Sequence, residues 1–288
     1  MLNIKKILLP VDFPITSLDV IHQAAILARH FHSEIVMLHV ATPQSHAAGV
    51  PDDSSELGGW DLLAEIIKEA KKQQEQALGP ELDALTIRRV VVDGDPAWAI
   101  VRMAEEEEAD LIMMPSHGAT AERFLLGSVA AKVLSRTACP IWTGAHVEQA
   151  PVRKFALRNV LCAVDLGPRS NEAVSWAAPL AAEFGARLTL AHVTASVEFW
   201  GPGGSYVDEK WKKALVDDAS QRIAKLQQDT GIKADVFIGS GDVPKVLSQA
   251  VTQMKADLLV TGCYPYGSHL RTHGYAIICA VPVPVLSV

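Results

Sequence analysis

Short stretches recur at fixed spacing along the 288 residues of this chain. IKKILLPVD at 4–12 resembles LRNVLCAVD at 157–165, setting Asp12 against Asp165, 153 residues on. His39-Val40 and His192-Val193 keep that spacing. Further along, Gly94-Asp95 matches Gly241-Asp242, Asp110-Leu111 matches Asp257-Leu258, and Gly127 matches Gly274, each 147 residues apart. Two constant offsets separated by one six-residue loss mark a tandem duplication. Each copy has the length of an ordinary domain and must complete a core of its own. The expected domains are 1–145 and 156–288, joined by GAHVEQAPVRKFAL at 144–157.

Both copies carry the same succession of elements. KKILLPVD is a short run rich in branched apolar residues, the mark of a buried strand. SLDVIHQAAILARHF repeats apolar positions at helical spacing, with Ser17 placed as an N-cap. EIVMLHV reads as a second strand, and a polar loop and a helix over 60–78 follow it. TIRRVVVDG, DPAWAIVRMAEEEE and ADLIMMP read as strand, helix and strand, and a helix after Gly127 leads to CPIWTG, a fifth strand. The second copy runs NVLCAVD, SNEAVSWAAPLAAEF, RLTLAHV, a helix near 206–229, KADVFIG, DVPKVLSQAVTQM, ADLLVTG and VPVLSV. Strands alternating with helices predict parallel βαβ units with helices on both faces of each sheet.

The totals narrow the function. With 49% hydrophobic residues, 20% charged residues and a net charge of −7, the chain reads as a soluble globular protein lacking the basic field that nucleic acid requires. No apolar run is long enough to span a bilayer, and MLNIKKILLPVDF does not read as a signal peptide, so the expected location is the cytoplasm. Cys139, Cys162, Cys263 and Cys279 form no C-x-x-C pair or zinc spacing and are expected to be buried, reduced thiols.

Parallel sheets of this kind take ligands at the carboxyl ends of their strands, where the strand order switches direction. In the first copy those ends carry Pro10-Val11-Asp12, His39-Val40, Gly94-Asp95 and Pro115-Ser116-His117-Gly118. Gly127-Ser128 then opens a helix. A helix N-terminus offers free N–H groups and partial positive charge to a phosphate, glycine permits close approach, and serine adds a hydroxyl. The same pair also reads as an ordinary helix cap, and the spacing alone leaves both readings open. Asp12 is placed to accept hydrogen bonds from an adenosine moiety.

KKILLPVDF, LHV, MPSHG and LLGSVAAKVLSRTACPIW, with NVLCAVDLGPRS, AHV and VLSV in the second copy, resemble the universal stress protein family in its tandem form. The resemblance implies two five-stranded parallel sheets of order 3-2-1-4-5, paired as a pseudo-dimer through their fifth strands near 139–143 and 284–288. Nucleotide-binding members carry a loop G-x₂-G-x₉-G-(S/T) around the phosphates. Here the first glycine falls on Pro115, the second on Gly118, and the spacer Ala119–Leu126 is one residue short. The final pair is intact as Gly127-Ser128, followed by Val129. The implied adenine and ribose contacts fall on Pro10, Val11, Asp12 and Val40, and the implied loop contacts on Met114, Ser116, His117, Gly118, Gly127, Ser128 and Val129. Pro115 removes a backbone N–H that the family pattern supplies. In the second copy Pro265 replaces the second glycine and Tyr275 the serine, so no nucleotide is expected there.

Several further features are weighed against plainer roles. Glu105–Glu108 reads as a solvated helix end and Trp98 as a core residue. His39 and His192 repeat in a copy without the nucleotide loop, which favours a structural role for both. Lys132 is expected to point away from the site. The loops after the second strands, 41–59 and 194–206, read as lids or as mobile connections. The run His269–His273 reads as an anion contact, a solvated loop or a contact between halves. Neither a Gly-x-Ser-x-Gly elbow nor a Walker lysine pattern occurs.

The expected function is therefore a regulatory, non-enzymatic stress-response protein holding an adenine nucleotide in its first domain: ATP, with AMP or ADP as alternatives, together with magnesium. The expected partners are that nucleotide, an unidentified protein and, as a further option, a second copy of the chain, with no nucleic acid and no membrane. The alternatives are a structural or partner-binding protein without nucleotide, and a weak ATPase.

Overall fold

The computed structural model describes residues 2–12, 18–41, 85–116, 126–145, 155–167, 169–195, 198–201, 204–207, 209–262 and 271–288. The expected Ser17 cap, the helix over 60–78, Cys263, Pro265 and His269 lie outside them. The chain divides into two compact units, one of Asn3–Gly144 and one containing Ala145–Val288.

In the first unit the strands are β1 (Lys6–Pro10), β2 (Glu34–Ala41), β3 (Ile87–Asp93), β4 (Leu111–Met114) and β5 (Ile141–Thr143). The helices are α1 (Leu18–Phe31), α2 (Pro96–Glu106) and α3 (Ser128–Leu134). All four strand pairings are parallel, in the order β3-β2-β1-β4-β5. Consecutive residues Ile7, Leu8 and Leu9 are all buried, as are all four residues of β4. Side chains alternate between faces along a strand, so both faces of the sheet are covered at its centre.

The second unit repeats the design with β6 (Asn159–Ala163), α4 (Ser170–Glu183), β7 (Arg187–Thr194), α5 (Glu209–Thr230), β10 (Asp235–Ser240), α6 (Val243–Gln253), β11 (Leu258–Thr261), α7 (Arg271–Ala280) and β12 (Val285–Ser287). Its parallel order is β10-β7-β6-β11-β12, the same as in the first unit.

The repeated dipeptides do the same local work twice. Asp110 accepts the N–H groups of Lys5 and Lys6 at 2.7 and 2.9 Å, and Asp257 accepts those of Arg158 and Asn159 at 2.8 and 2.9 Å. Each aspartate thus ties the start of the fourth strand to the start of the first. Gly94 and Gly241 adopt φ of +127° and +128°, a region open to glycine. The aspartates after them are N-caps: Asp95 accepts from Trp98 N–H at 2.9 Å and Asp242 from Lys245 N–H at 3.1 Å.

Four expectations change. The 194–206 connection contains a hairpin of β8 (Glu198–Gly201) and β9 (Gly204–Val207), which pair antiparallel with Phe199 opposite Tyr206. Trp98 is 56% exposed, with the Arg102 guanidinium 5.2 Å over its ring, because the buried stripe of α2 runs through Ala97, Ile100 and Ala104. Glu107 is not a solvated residue: it forms ion pairs with Lys6 and Arg88, reaching the edge of the sheet from the end of α2. Gly274 lies inside α7 rather than at its start. The fifth strands begin at Ile141 and Val285, 144 residues apart, and in that register Arg271 stands where Gly127 does.

Candidate functional site at the carboxyl ends of the first sheet

In the order β3-β2-β1-β4-β5 the chain reverses direction between β1 and β4, and the carboxyl ends of these two strands are the switch point, where sheets of this kind take ligands. Pro10 ends β1, with Val11 and Asp12 just beyond it; Val40 is near the end of β2; Met114 ends β4, with Ser116 two residues on. Asp12 is exposed, Pro10, Val11 and Val40 are half-buried, and Met114 and Ser116 are buried. His117 and Gly118 lie outside the described residues.

Hydrogen bonds fix these ends to one another. Gly127 N–H donates to Ser116 O at 2.9 Å, which places the start of α3 against the end of β4. Gly144 N–H donates to Met114 O at 3.0 Å. Val11 N–H donates to Leu38 O at 2.8 Å, and His39 Nδ1–H donates to Val11 O at 3.0 Å, so both backbone polar groups of Val11 are engaged by β2. Because a carbonyl can only accept, Nδ1 of His39 carries the proton.

The start of α3 bears on the two readings of Gly127-Ser128. Gly127 itself is the N-cap, with φ −57° and ψ 142°, and no side chain caps the helix. Ser128 is the first helical residue and is exposed, with Val129 half-buried behind it. A helix leaves its first amides without intrahelical acceptors, and here the described residues provide no side-chain cap for them. Lys132, one turn along α3, extends toward α2, its Nζ 3.7 Å from Asp95 Oδ2.

The corresponding place in the second unit is built differently. Asp165 Oδ1 accepts the N–H of Gly167 at 2.8 Å and the hydroxyl of Ser170 at 2.9 Å. Leu166 between them has φ +61°, and Arg222 donates to its carbonyl at 2.7 Å. The strand end is thus folded into a turn that its own neighbours satisfy. The His192–Val164 hydrogen bond, 2.8 Å, repeats the one between His39 and Val11. Sequence reasoning singled out the two histidines but missed their acceptors; the constant 153-residue spacing of both partners was the available signal.

Away from these ends, the thiols of Cys139 and Cys162 are pushed up to about 12, chiefly by burial. Cys139 and Cys162 are free thiols. No group of three or more His, Cys, Asp or Glu among the described residues could hold a metal ion. No helix among them is long and apolar enough to cross a membrane.

Two tandem parallel α/β units, each with a switch in strand order between its first and fourth strands, define the class of fold. A profile described as the universal stress protein family matches residues 3–143 and again 156–272. A universal stress protein of Methanocaldococcus jannaschii is 36% identical over 143 residues, 48% of this chain and 79% of that protein. A second from that organism is 29% identical over 151 residues, 48% of this chain and 92% of that protein. Among solved structures, a universal stress protein from Archaeoglobus fulgidus aligns over 98% of this chain and 95% of its own, with TM-score 0.68 and 22% identity, a likeness of fold. The chain belongs to the universal stress protein family, as a tandem of two such domains.

Proposed function

We propose that the first domain, residues 1–145, binds an adenine nucleotide as a regulatory ligand, and that the second, 156–288, binds none. The observation that carries this reading is the start of α3, attached to the end of β4 through Gly127 and Ser116 and capped by no described side chain. Three kinds of group at the carboxyl ends of the strands and the start of α3 support it. The first amides of α3 and the hydroxyl of Ser128 suit phosphate oxygens. The exposed Asp12 carboxylate suits ribose hydroxyls. Val40 and Pro10 offer half-buried apolar contact to a base. ATP with magnesium is the ligand of choice on the family pattern, with ADP and AMP as alternatives. These groups bind and orient, which is why the reading is regulatory rather than catalytic: nucleotide occupancy alters the contact with a protein partner.

The second domain supports the other half of the proposal. Its Asp165 is engaged in a local turn, and Arg271 rather than a glycine stands at the helix start. A reading without nucleotide in either domain draws on one observation, Pro115, which has no N–H at the end of β4. Pairing of the halves through their fifth strands, dimerisation of whole chains and a cytoplasmic location complete the proposal on the sequence arguments. The test is mass spectrometry of small molecules released by denaturing the freshly purified protein. An adenine nucleotide near one equivalent supports the proposal. A protein that releases none, and takes up none when incubated with MgATP, leaves partner binding without nucleotide as the function.

A further inference from the structure

Asp12 follows the end of β1 and Val40 lies on β2, yet both must face one nucleoside if the proposed site is correct. What fixes one relative to the other is a pair of hydrogen bonds. Val11 N–H reaches Leu38 O at 2.8 Å, and His39 Nδ1–H reaches Val11 O at 3.0 Å. Val11 immediately precedes Asp12, and His39 immediately precedes Val40. His39 is 5% exposed, so its bond to Val11 is largely shielded from water and costly to lose. The second unit has the same brace: Val164 N–H to Ala191 O at 2.9 Å and His192 Nδ1–H to Val164 O at 2.8 Å.

We infer that His39 is a positioning residue for the nucleoside end of the first-domain site, holding Asp12 and Val40 in register through the Val11 carbonyl. This rests on the nucleotide reading above. A purely structural histidine and a positioning one both stabilise the fold, so stability alone does not separate them. The duplication supplies the control. His192 makes the same bond where Asp165 is already held in a turn by Gly167 and Ser170 and no nucleotide is expected.

The experiment compares His39→Leu and His192→Leu in the full chain, by thermal unfolding and by calorimetric titration with MgATP well below the melting temperature. Both variants are expected to lower Tm to a similar degree. Only His39→Leu is expected to weaken MgATP binding, by about tenfold or more, the consequence of losing one buried hydrogen bond's worth of orientation. An amide in place of the ring separates donor position from bulk: the side-chain N–H of His39→Asn can reach where Nδ1–H was, whereas His39→Gln places its donor nearer Nε2. Asn is expected to retain most affinity and Gln to lose it. Equal affinities in the Asn and Gln variants, or an unchanged affinity in a folded His39→Leu protein, overturn the inference while leaving the nucleotide reading intact. Equal weakening by His192→Leu overturns it as well. An unmutated chain that binds no MgATP removes the nucleotide reading and this inference together.

Discussion

Gly127 donates its backbone N–H to the carbonyl oxygen of Ser116 across 2.9 Å. That bond attaches the start of α3 to the segment that follows β4. The N-cap position is filled by a residue with no side chain to turn back on the helix, while its amide is used to attach the helix to β4. Among the described residues no side chain caps the amides that follow, beginning with Ser128. A serine one position earlier would have made an ordinary cap.

Trp142 lies fully buried on β5 and donates its Nε1–H to Oε1 of Gln23 on α1 at 2.7 Å. Gln23→Leu leaves that indole donor buried without its acceptor and is expected to cost about 1–3 kcal/mol in urea unfolding. Adding Trp142→Phe removes the orphaned donor, so the double variant is expected to lose less than the two single losses combined. Strict additivity would show that the pair is not coupled.

The Glu107 carboxyl is held below the usual carboxylate range, first by its hydrogen bond from Arg88 and then by Lys6, against the opposing effect of burial. A carboxyl lowered in the folded state contributes stability that is complete above its unfolded value and lost as pH falls through the folded one. Glu107→Gln is therefore expected to lower Tm near neutral pH and to change it little in strong acid, flattening the acid limb of the Tm profile. A penalty that persists in strong acid would assign the effect to packing instead.

Burial raises the thiols of Cys139 and Cys162 to about 12, so neither supplies thiolate near neutral pH. Peptide mapping after brief exposure of the native protein to a maleimide is expected to find both unmodified, and both modified after unfolding in denaturant. Rapid labelling of Cys162 in the native protein would contradict its burial in β6.

Much of this fold is legible in the sequence, because the duplication repeats those residues whose backbone roles are strict. Asp110 and Asp257 close the first strand onto the fourth, Gly94 and Gly241 take a φ that other residues avoid, and Asp95 and Asp242 cap helices. Each role needs a particular residue type, so each left a matching dipeptide. Where shape rather than residue type decides, the reading fails. Hydrophobicity puts Trp98 in the core, but α2 buries small residues, Ala97, Ala99 and Ala104, and leaves the large ring outside. The β8–β9 hairpin is readable from Phe199-Trp200 and Tyr206-Val207 around Gly-Pro-Gly-Gly, a strand–turn–strand composition that the loop assignment passes over. Gly274 misleads because the three residues are lost between β11 and α7, so α7 keeps the register of β12 and not that of the glycine. At the site, the sequence pointed to the strand ends, but hydrogen bonds such as that of Gly127 depend on three-dimensional register and left no local signature.

The central claim, that the start of α3 receives the phosphates of an adenine nucleotide, is tested most directly by titrating the full chain with MgATP beside its Ser128→Tyr variant. Ser128 is exposed, so the substitution is expected to leave Tm nearly unchanged while placing a ring where the phosphates would lie. The account predicts saturable binding at about one nucleotide per chain in the unmutated protein and its loss in the variant. Equal binding by the two proteins would place the nucleotide elsewhere. Binding by neither would contradict the account and leave Gly127-Ser128 as the opening of a helix and nothing more.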